Sequence, residues 1–277
     1  MLIDCGESTQ SHLRQYHQRI QSFDTIFISH LHGDHFFGLP GLLSTMHLCG
    51  RTLPITVYAP KGIKSSMELL FDVSGTNIRY DLNIVELDFE GKQAIFSSPL
   101  CNVYAFPLRH SVPTYGFIFE EKITLLNLRK EVKEQYNLTN EECVRVKQGS
   151  DLTLADGRII PNSELTLPPL KPRRYAYCCD TQYFDELSTY LEGVDLLCME
   201  STFGADQIHL AEECQHCTSA QAATVASQAH VDQLLLTHFS ARYKDLTTLY
   251  EEATAIFPNT ITAADGAVYN IEYKKAR

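Results

Sequence analysis

Behind a short apolar run the chain reads Ser29-His30-Leu31-His32-Gly33-Asp34-His35. The run, residues 25–29 (Thr-Ile-Phe-Ile-Ser), is rich in β-branched and aromatic side chains and predicts a buried strand. Three imidazoles and a carboxylate at the mouth of such a strand are costly unless something binds them. Imidazole and carboxylate are donors for zinc and similar divalent ions, with four or five ligands per ion. His30 and His32, two apart in an extended turn, can face one side. Asp34 and His35 can reach a second point as the chain enters a helix. The fold must therefore deliver a strand end to a metal centre.

So short a motif cannot close two coordination shells, and three later positions offer further donors. His110 follows a β run at 103–106, Asp180 ends one at 175–179, and His238 ends one at 233–236. Each alone reads as an ordinary turn residue. Together, placed as His30 is placed, they read as ligands converging on one sheet edge. His12, His17, His47, His209 and His230 have no such partners and read as surface residues.

Composition narrows the classes. With 277 residues, 44% hydrophobic and 21% charged, the chain is globular, neither disordered nor a coiled coil. It has no apolar run of about 18 residues, so no membrane span is expected. The balance of 23 basic and 34 acidic residues gives −11, a poor bulk match for nucleic acid. A nucleic-acid role would need a local patch or bound cations. Nine cysteines, odd in number and irregular in spacing, read as reduced thiols. Cys214 and Cys217 lack the second pair of a zinc ribbon. The opening MLIDCGESTQ has no basic segment followed by an apolar one, so a cytoplasmic protein is expected.

Periodicity predicts helices over 36–48, 183–191, 219–229 and 246–256, and a polar helix-compatible stretch over 10–20. It predicts strands over 55–59, 83–89, 93–97, 103–106, 115–119, 175–179, 194–199, 233–236, 261–263 and 268–273. Between 120 and 172 the pattern breaks into a polar, mixed-charge stretch with Pro161, Pro168, Pro169 and Pro172 near its end. This reads as an insertion outside the core. The α/β alternation suggests two sheets covered by helices.

His30-x-His32-x-Asp34-His35 with His110, Asp180 and His238 resembles the metallo-β-lactamase superfamily. Within it the chain resembles the ribonuclease Z family over essentially its whole length. The likeness rests also on Leu2-Ile3-Asp4-Cys5-Gly6-Glu7, Gly38-Leu39-Pro40-Gly41-Leu42-Leu43, Cys179-Asp180-Thr181, His216-Cys217-Thr218 and Thr237-His238-Phe239-Ser240-Ala241-Arg242-Tyr243. It implies a single α/β domain over 1–277, an αββα four-layer sandwich of two mixed sheets flanked by helices. Residues 120–172 would be an inserted arm that grips tRNA.

The resemblance further implies two zinc ions, with another divalent ion such as Mn2+ possible. The first would take His30, His32, His110 and Asp180, the second Asp34, His35, Asp180 and His238. It implies removal of 3′ trailers from precursor tRNA by metal-hydroxide attack on the phosphodiester, in a homodimer, with no membrane and no DNA partner. Asp34 would accept a proton from the attacking water. His216 would donate one to the leaving 3′-oxygen, oriented by Glu200, and Asp4 would accept from a ligand histidine. The alternative is another phosphodiesterase of the fold, acting on cyclic nucleotides or small phosphodiesters. A non-catalytic RNA-binding protein is the reading from another class. Residues 120–148 carry six acids and six bases, and 158–174 one acid against four bases, so the arm is less acidic than the rest. Where family arms carry a Pro-Pro-Gly-Pro-like stretch, this chain has Asn137-Leu138-Thr139-Asn140-Glu141-Glu142. Relatives also carry a strand pair ahead of Leu2-Ile3-Asp4. An open sheet edge, and lower stability than a relative with those strands, is expected here.

Overall fold

In the computed structural model, which describes residues 1–122, 125–167 and 170–274, two sheets pack face to face with helices outside each. The smaller sheet has β1 (Leu2–Ile3), β2 (Thr25–Phe27), β3 (Ile55–Pro60) and β4 (Leu82–Leu87), in that order and parallel throughout. Parallel neighbours need crossovers. Helices Thr9–Gln15, Gly38–Leu48 and Ile63–Val73 supply them. The strand period of two decides which core each side chain joins. Ile26 and Ile28 point to the helices and pack with Leu39, Leu42, Leu43 and Met46. Phe27, between them, points the other way and packs with Phe117, Val103 and Leu87 between the sheets.

The larger sheet begins as an antiparallel meander of β5 (Gln93–Ser97), β6 (Cys101–Leu108) and β7 (Thr114–Glu121). An insertion holding the hairpin β8 (Leu152–Thr153) and β9 (Ile159–Ile160) follows. The sheet resumes with β10 (Arg174–Cys178), β11 (Leu196–Glu200), β12 (Gln233–Thr237) and β13 (Thr260–Thr262). Its order is β13-β12-β11-β10-β7-β6-β5. The last four strands run parallel and β10 pairs antiparallel with β7, so this sheet is mixed. Helices Leu187–Leu191, Ser219–Gln228 and Thr247–Ile256 cover its outer face, where buried Ala222, Ala223 and Ala226 allow a close approach.

Several elements differ from their sequence reading. Residues 268–273 form no strand. Tyr269 and Ile271 alternate because they pack on Leu196, Cys198 and Leu235 across the sheet face, and side-chain hydrogen bonds fasten the segment to its neighbours. Arg173 Nη1 donates to the Ile271 carbonyl at 3.1 Å, and the Ala264 amide to the Tyr269 hydroxyl oxygen at 2.9 Å. The helix read over 183–191 starts at Leu187, after a turn closed by the Leu187 amide on the Phe184 carbonyl. The helix read over 36–48 is two, Gly33–Phe36 and Gly38–Leu48, joined at Phe37. A Cβ on Gly38 would sit 1.9 Å from the Gly6 carbonyl oxygen, so a side chain is excluded there. Outside the insertion the sequence reading also passed over the helices Ile63–Val73 and Ile208–Cys214, and within it Val132–Gln135, Asn140–Lys147 and Asn162–Leu165.

The insertion has a small core of its own. Val132, Leu138, Cys143, Val146, Leu152 and Leu165 are buried together. Thr139 caps helix Asn140–Lys147 in a reciprocal box with Glu142. Pro168 and Pro169, read as part of its proline-rich end, lie outside the described residues. Among the described residues no helix is long and apolar enough to cross a membrane.

Candidate metal centre

β6 and β10 are both antiparallel to β7, so they point the same way, as do β11 and β12. Their carboxyl ends therefore share one edge of the sheet, the usual place for a site in such folds. His110 follows β6, Asp180 follows β10, Glu200 ends β11 and His238 follows β12. β2 of the smaller sheet brings the His30–His35 turn against the same edge, where the Tyr115 amide donates to the Ser29 carbonyl at 2.9 Å. Asp4, Asp180 and His238 all have positive φ (54°, 50° and 56°), which turns the chain sharply as each strand ends.

Two groups of donors meet at Asp180, and a third, Glu200 with His216 and His238, adjoins them. His30, His32, His110 and Asp180 bring one ligand atom each within 4.8 Å of one another. His32 Nδ1 lies 3.1 Å from His30 Nε2 and 3.3 Å from His110 Nε2. A second group contains His35, Asp180, His238 and the thiol of Cys179. Asp180 belongs to both, and its two oxygens divide the work. Oδ2 faces His30 Nε2 at 3.5 Å and His110 Nε2 at 3.8 Å. Oδ1 faces His35 Nε2 at 3.4 Å and His238 Nε2 at 3.2 Å. Asp34 stands at the rim, with its side chain 65% exposed and Oδ2 3.5 Å from His35 Nε2.

The outward ring nitrogens are fixed by the protein. His110 Nδ1 donates to the Gln215 carbonyl at 3.0 Å. His35 Nδ1 meets Asp4 Oδ2 at 2.8 Å, and Ser29 Oγ sits 3.0 Å from His30 Nδ1 while donating to Asp4 Oδ2 at 2.9 Å. Tyr177 adds its hydroxyl to the same Asp4 oxygen at 2.9 Å, tying the two sheets together. Across the site the fully buried Glu200 accepts from His216 Nδ1 at 2.8 Å. Such partners set each tautomer and leave the inward nitrogen as a lone pair.

Electrostatics follow the same division. Burial, then the neighbouring His35, pushes His30 down to about 3, so it is a neutral donor. Burial likewise lowers His110. Burial opposes a charge on His35, but the bond to Asp4 and the charges of Asp4, Asp180 and Asp34 lift it to about 9. Burial disfavours ionised Asp180, yet His238, His35 and the Cys179 thiol hold its carboxyl below the usual range. His216 is raised against its burial by Glu200.

The structure thus brings together His30, His32, His35, His110, Asp180 and His238, with Asp34 and His216 alongside. Sequence reasoning missed Cys179, Ser29, Thr202 and Tyr177. Cys179 and Ser29 adjoin a recognised site residue, a signal that could have been followed; Thr202 and Tyr177 depend on pairings across the fold. Imidazoles whose ring nitrogens point at one another, sharing one buried carboxylate, fit a divalent cation.

Comparison with known proteins agrees with this geometry. The β-lactamase superfamily domain matches residues 1–126. Ribonuclease Z of Parabacteroides distasonis is 38% identical over 265 residues, spanning 96% of this chain and 87% of that protein. The crystal structure of the short form of human tRNase Z superposes with a TM-score of 0.67 at 26% identity, covering 98% of this chain and 87% of that one. A metallo-β-lactamase fold protein from Bacillus subtilis, 21% identical, shares the fold with a TM-score of 0.66 over 97% of this chain and 86% of that one. The matched span runs through both halves of the histidine–aspartate centre and nearly the full length of both chains, and on that footing the chain belongs to the ribonuclease Z family.

Proposed function

We propose that the chain is a metal-dependent endoribonuclease that removes 3′ trailers from precursor tRNA. The observation that carries this is Asp180, one buried carboxylate whose two oxygens face two separate sets of imidazoles. His30, His32, His110 and Asp180 would hold one zinc ion, and Asp34, His35, Asp180 and His238 the other. Two divalent ions held there supply Lewis acidity toward a phosphodiester and acidify water.

The chain's own residues do the rest. Asp34, exposed at the rim, takes up the proton of the attacking water and helps orient it. His216 has Nδ1 committed to Glu200, and its ring stands 5.1 Å from that of His110 and 5.4 Å from that of His238. A proton on its Nε2 is thus delivered beside the centre, to the leaving 3′-oxygen. Asp4 holds His35 directly and His30 through Ser29.

The unit over 120–172 is read as the part of the single 1–277 domain that grips tRNA. Its separate core and its near-neutral charge, nine acids against eight bases on a chain of −11 overall, support this. Family membership supports a homodimer working in the cytoplasm. Charge reversal at exposed Lys133 and Arg145 is expected to raise KM for precursor tRNA and leave cleavage of a small phosphodiester unchanged.

The deciding experiment is cleavage of a precursor tRNA carrying a 3′ trailer, read at nucleotide resolution with and without a strong chelator. A single chelator-sensitive cut just after the discriminator base is expected. Efficient hydrolysis of a small phosphodiester with no tRNA cleavage, from protein holding two ions, would favour the other phosphodiesterase instead.

A further inference from the structure

Thr202 belongs to none of the donor groups, yet its hydroxyl touches both the centre and the carboxylate behind it. Oγ1 lies 2.5 Å from Glu200 Oε2 and 2.9 Å from His238 Nδ1. The residue is buried, two positions beyond the end of β11, and its place is fixed by that strand.

Proton counting assigns the direction of these bonds. A hydroxyl has one proton and two lone pairs. Glu200 is a carboxylate on which three other donors already converge, so it can only accept. They are the Thr181 amide at 2.6 Å, the Cys217 amide at 3.0 Å and His216 Nδ1 at 2.8 Å. The threonine proton therefore goes to Glu200. The oxygen is left as an acceptor and takes the Nδ1–H of His238. His216 Nδ1 is 3.4 Å from the same oxygen, and its proton is spent on the nearer Glu200 oxygen. His238 is thereby held as the Nδ1–H tautomer, with its lone pair on Nε2, the nitrogen 3.2 Å from Asp180 Oδ1.

We infer that Thr202 is a positioning residue that fixes the tautomer and ring orientation of His238 and so sets the affinity of the second metal ion. This rests on the proposed reading of His238 as a ligand. The same device recurs across the centre, where Ser29 Oγ stands between Asp4 Oδ2 at 2.9 Å and His30 Nδ1 at 3.0 Å. The Glu200 side differs in one respect. Through Thr202 a single carboxylate serves both a ligand, His238, and the proton donor, His216. Valine has the shape of threonine and no hydroxyl. With it, His238 Nδ1 loses its acceptor and Glu200 loses a donor, while His216 keeps its own bond to Glu200.

The test titrates zinc into purified Thr202→Val, Thr202→Ser, His238→Ala and parent protein against a colorimetric chelator. Ring-nitrogen 15N spectra of the zinc-loaded parent and Thr202→Val accompany it. Thr202→Val is expected to bind the ion that His238→Ala loses roughly 10–100-fold less tightly, with the other ion unaffected. Thr202→Ser keeps the parent affinity, and the parent spectrum shows His238 protonated on Nδ1. Parent-like affinity in Thr202→Val, with His238→Ala losing an ion, overturns the inference and leaves the ligand reading standing. Two ions held at parent affinity by His238→Ala overturns the ligand reading beneath it. If Thr202→Val does not fold, judged by circular dichroism, the parent spectrum decides: a His238 proton on Nε2 overturns the inference.

Discussion

The seven-stranded sheet has buried or half-buried carboxylates at both ends, and their partners differ in kind. At the carboxyl ends of β10 and β11, Asp180 and Glu200 are met by imidazoles, hydroxyls and backbone amides. At the opposite end Glu121 is clasped by Arg173, with Nε and Nη2 each 2.9 Å from a carboxylate oxygen, and by the Tyr273 hydroxyl at 2.9 Å. Asp195 there takes Lys171 Nζ at 3.0 Å and the Arg174 amide at 2.8 Å. A guanidinium or ammonium has donors and no lone pair, so these pairs are closed. A neutral imidazole that gives its one proton away keeps a lone pair free. The same strands therefore end in a closed polar clasp on one side and a set of open donors on the other. Only the second can take up a cation.

If that contrast is right, substitutions at the two ends separate cleanly. Asp180→Asn has the largest expected effect, because it removes one oxygen from the only carboxylate both donor groups share. At least one ion should be lost, measured by metal content, and cleavage should fall further than the ~10²–10⁴-fold typical of a lost proton donor. Retention of both ions by this variant would break the comparison. Next is His216→Ala, expected to lower kcat on precursor tRNA by ~10²–10⁴-fold with metal content unchanged. A phosphodiester with an acidic leaving group, which needs no proton, should be cleaved almost as well as by the parent. Asp4→Asn follows, since the amide cannot serve Ser29, His35 and Tyr177 as the carboxylate does. Metal affinity is expected to fall about 10–100-fold, read by chelator competition.

How legible each end was in the sequence follows from the range of the interactions. His30, His32, Asp34 and His35 stand in one short turn, and His110, Asp180 and His238 each follow a recognisable strand, so local pattern reached them. The carboxylate networks were only half visible. Thr202 bonds to the ring of His238, which strand pairing brings alongside, Ser29 adjoins His30 but reaches Asp4 only across the sheet, and Tyr177 lies 173 residues from Asp4. No local period encodes such contacts. At the other end, alternation over 268–273 suggested a strand where the chain lies across a sheet face, because packing on a flat surface and ladder pairing leave the same apolar pattern. The insertion's core was hidden for a related reason. Val132, Val146 and Leu165 are scattered among charges and meet only once the unit has folded.

The smallest expected effect comes from Glu121→Gln, at the closed end. The Arg173 guanidinium, against a modest opposing cost of burial, holds the Glu121 carboxyl at about 2 instead of its ordinary 4.5. Above 4.5 the group is ionised in both the folded and unfolded chain, and its whole contribution to stability is present. As the pH falls from 4.5 toward 2 the unfolded chain takes up a proton that the folded chain does not, so this contribution drains away, and below 2 it is gone. The pair is partly solvated, with side chains 34% and 25% exposed, which limits what it contributes at any pH. Urea unfolding should therefore show Glu121→Gln slightly less stable than the parent at neutral pH and the difference shrinking through the acid window. Metal affinity and cleavage should match the parent at every pH where both are folded. A variant here that weakened metal binding would mean the two ends of the sheet are coupled, and the division between a closed clasp and an open donor set would have to be given up.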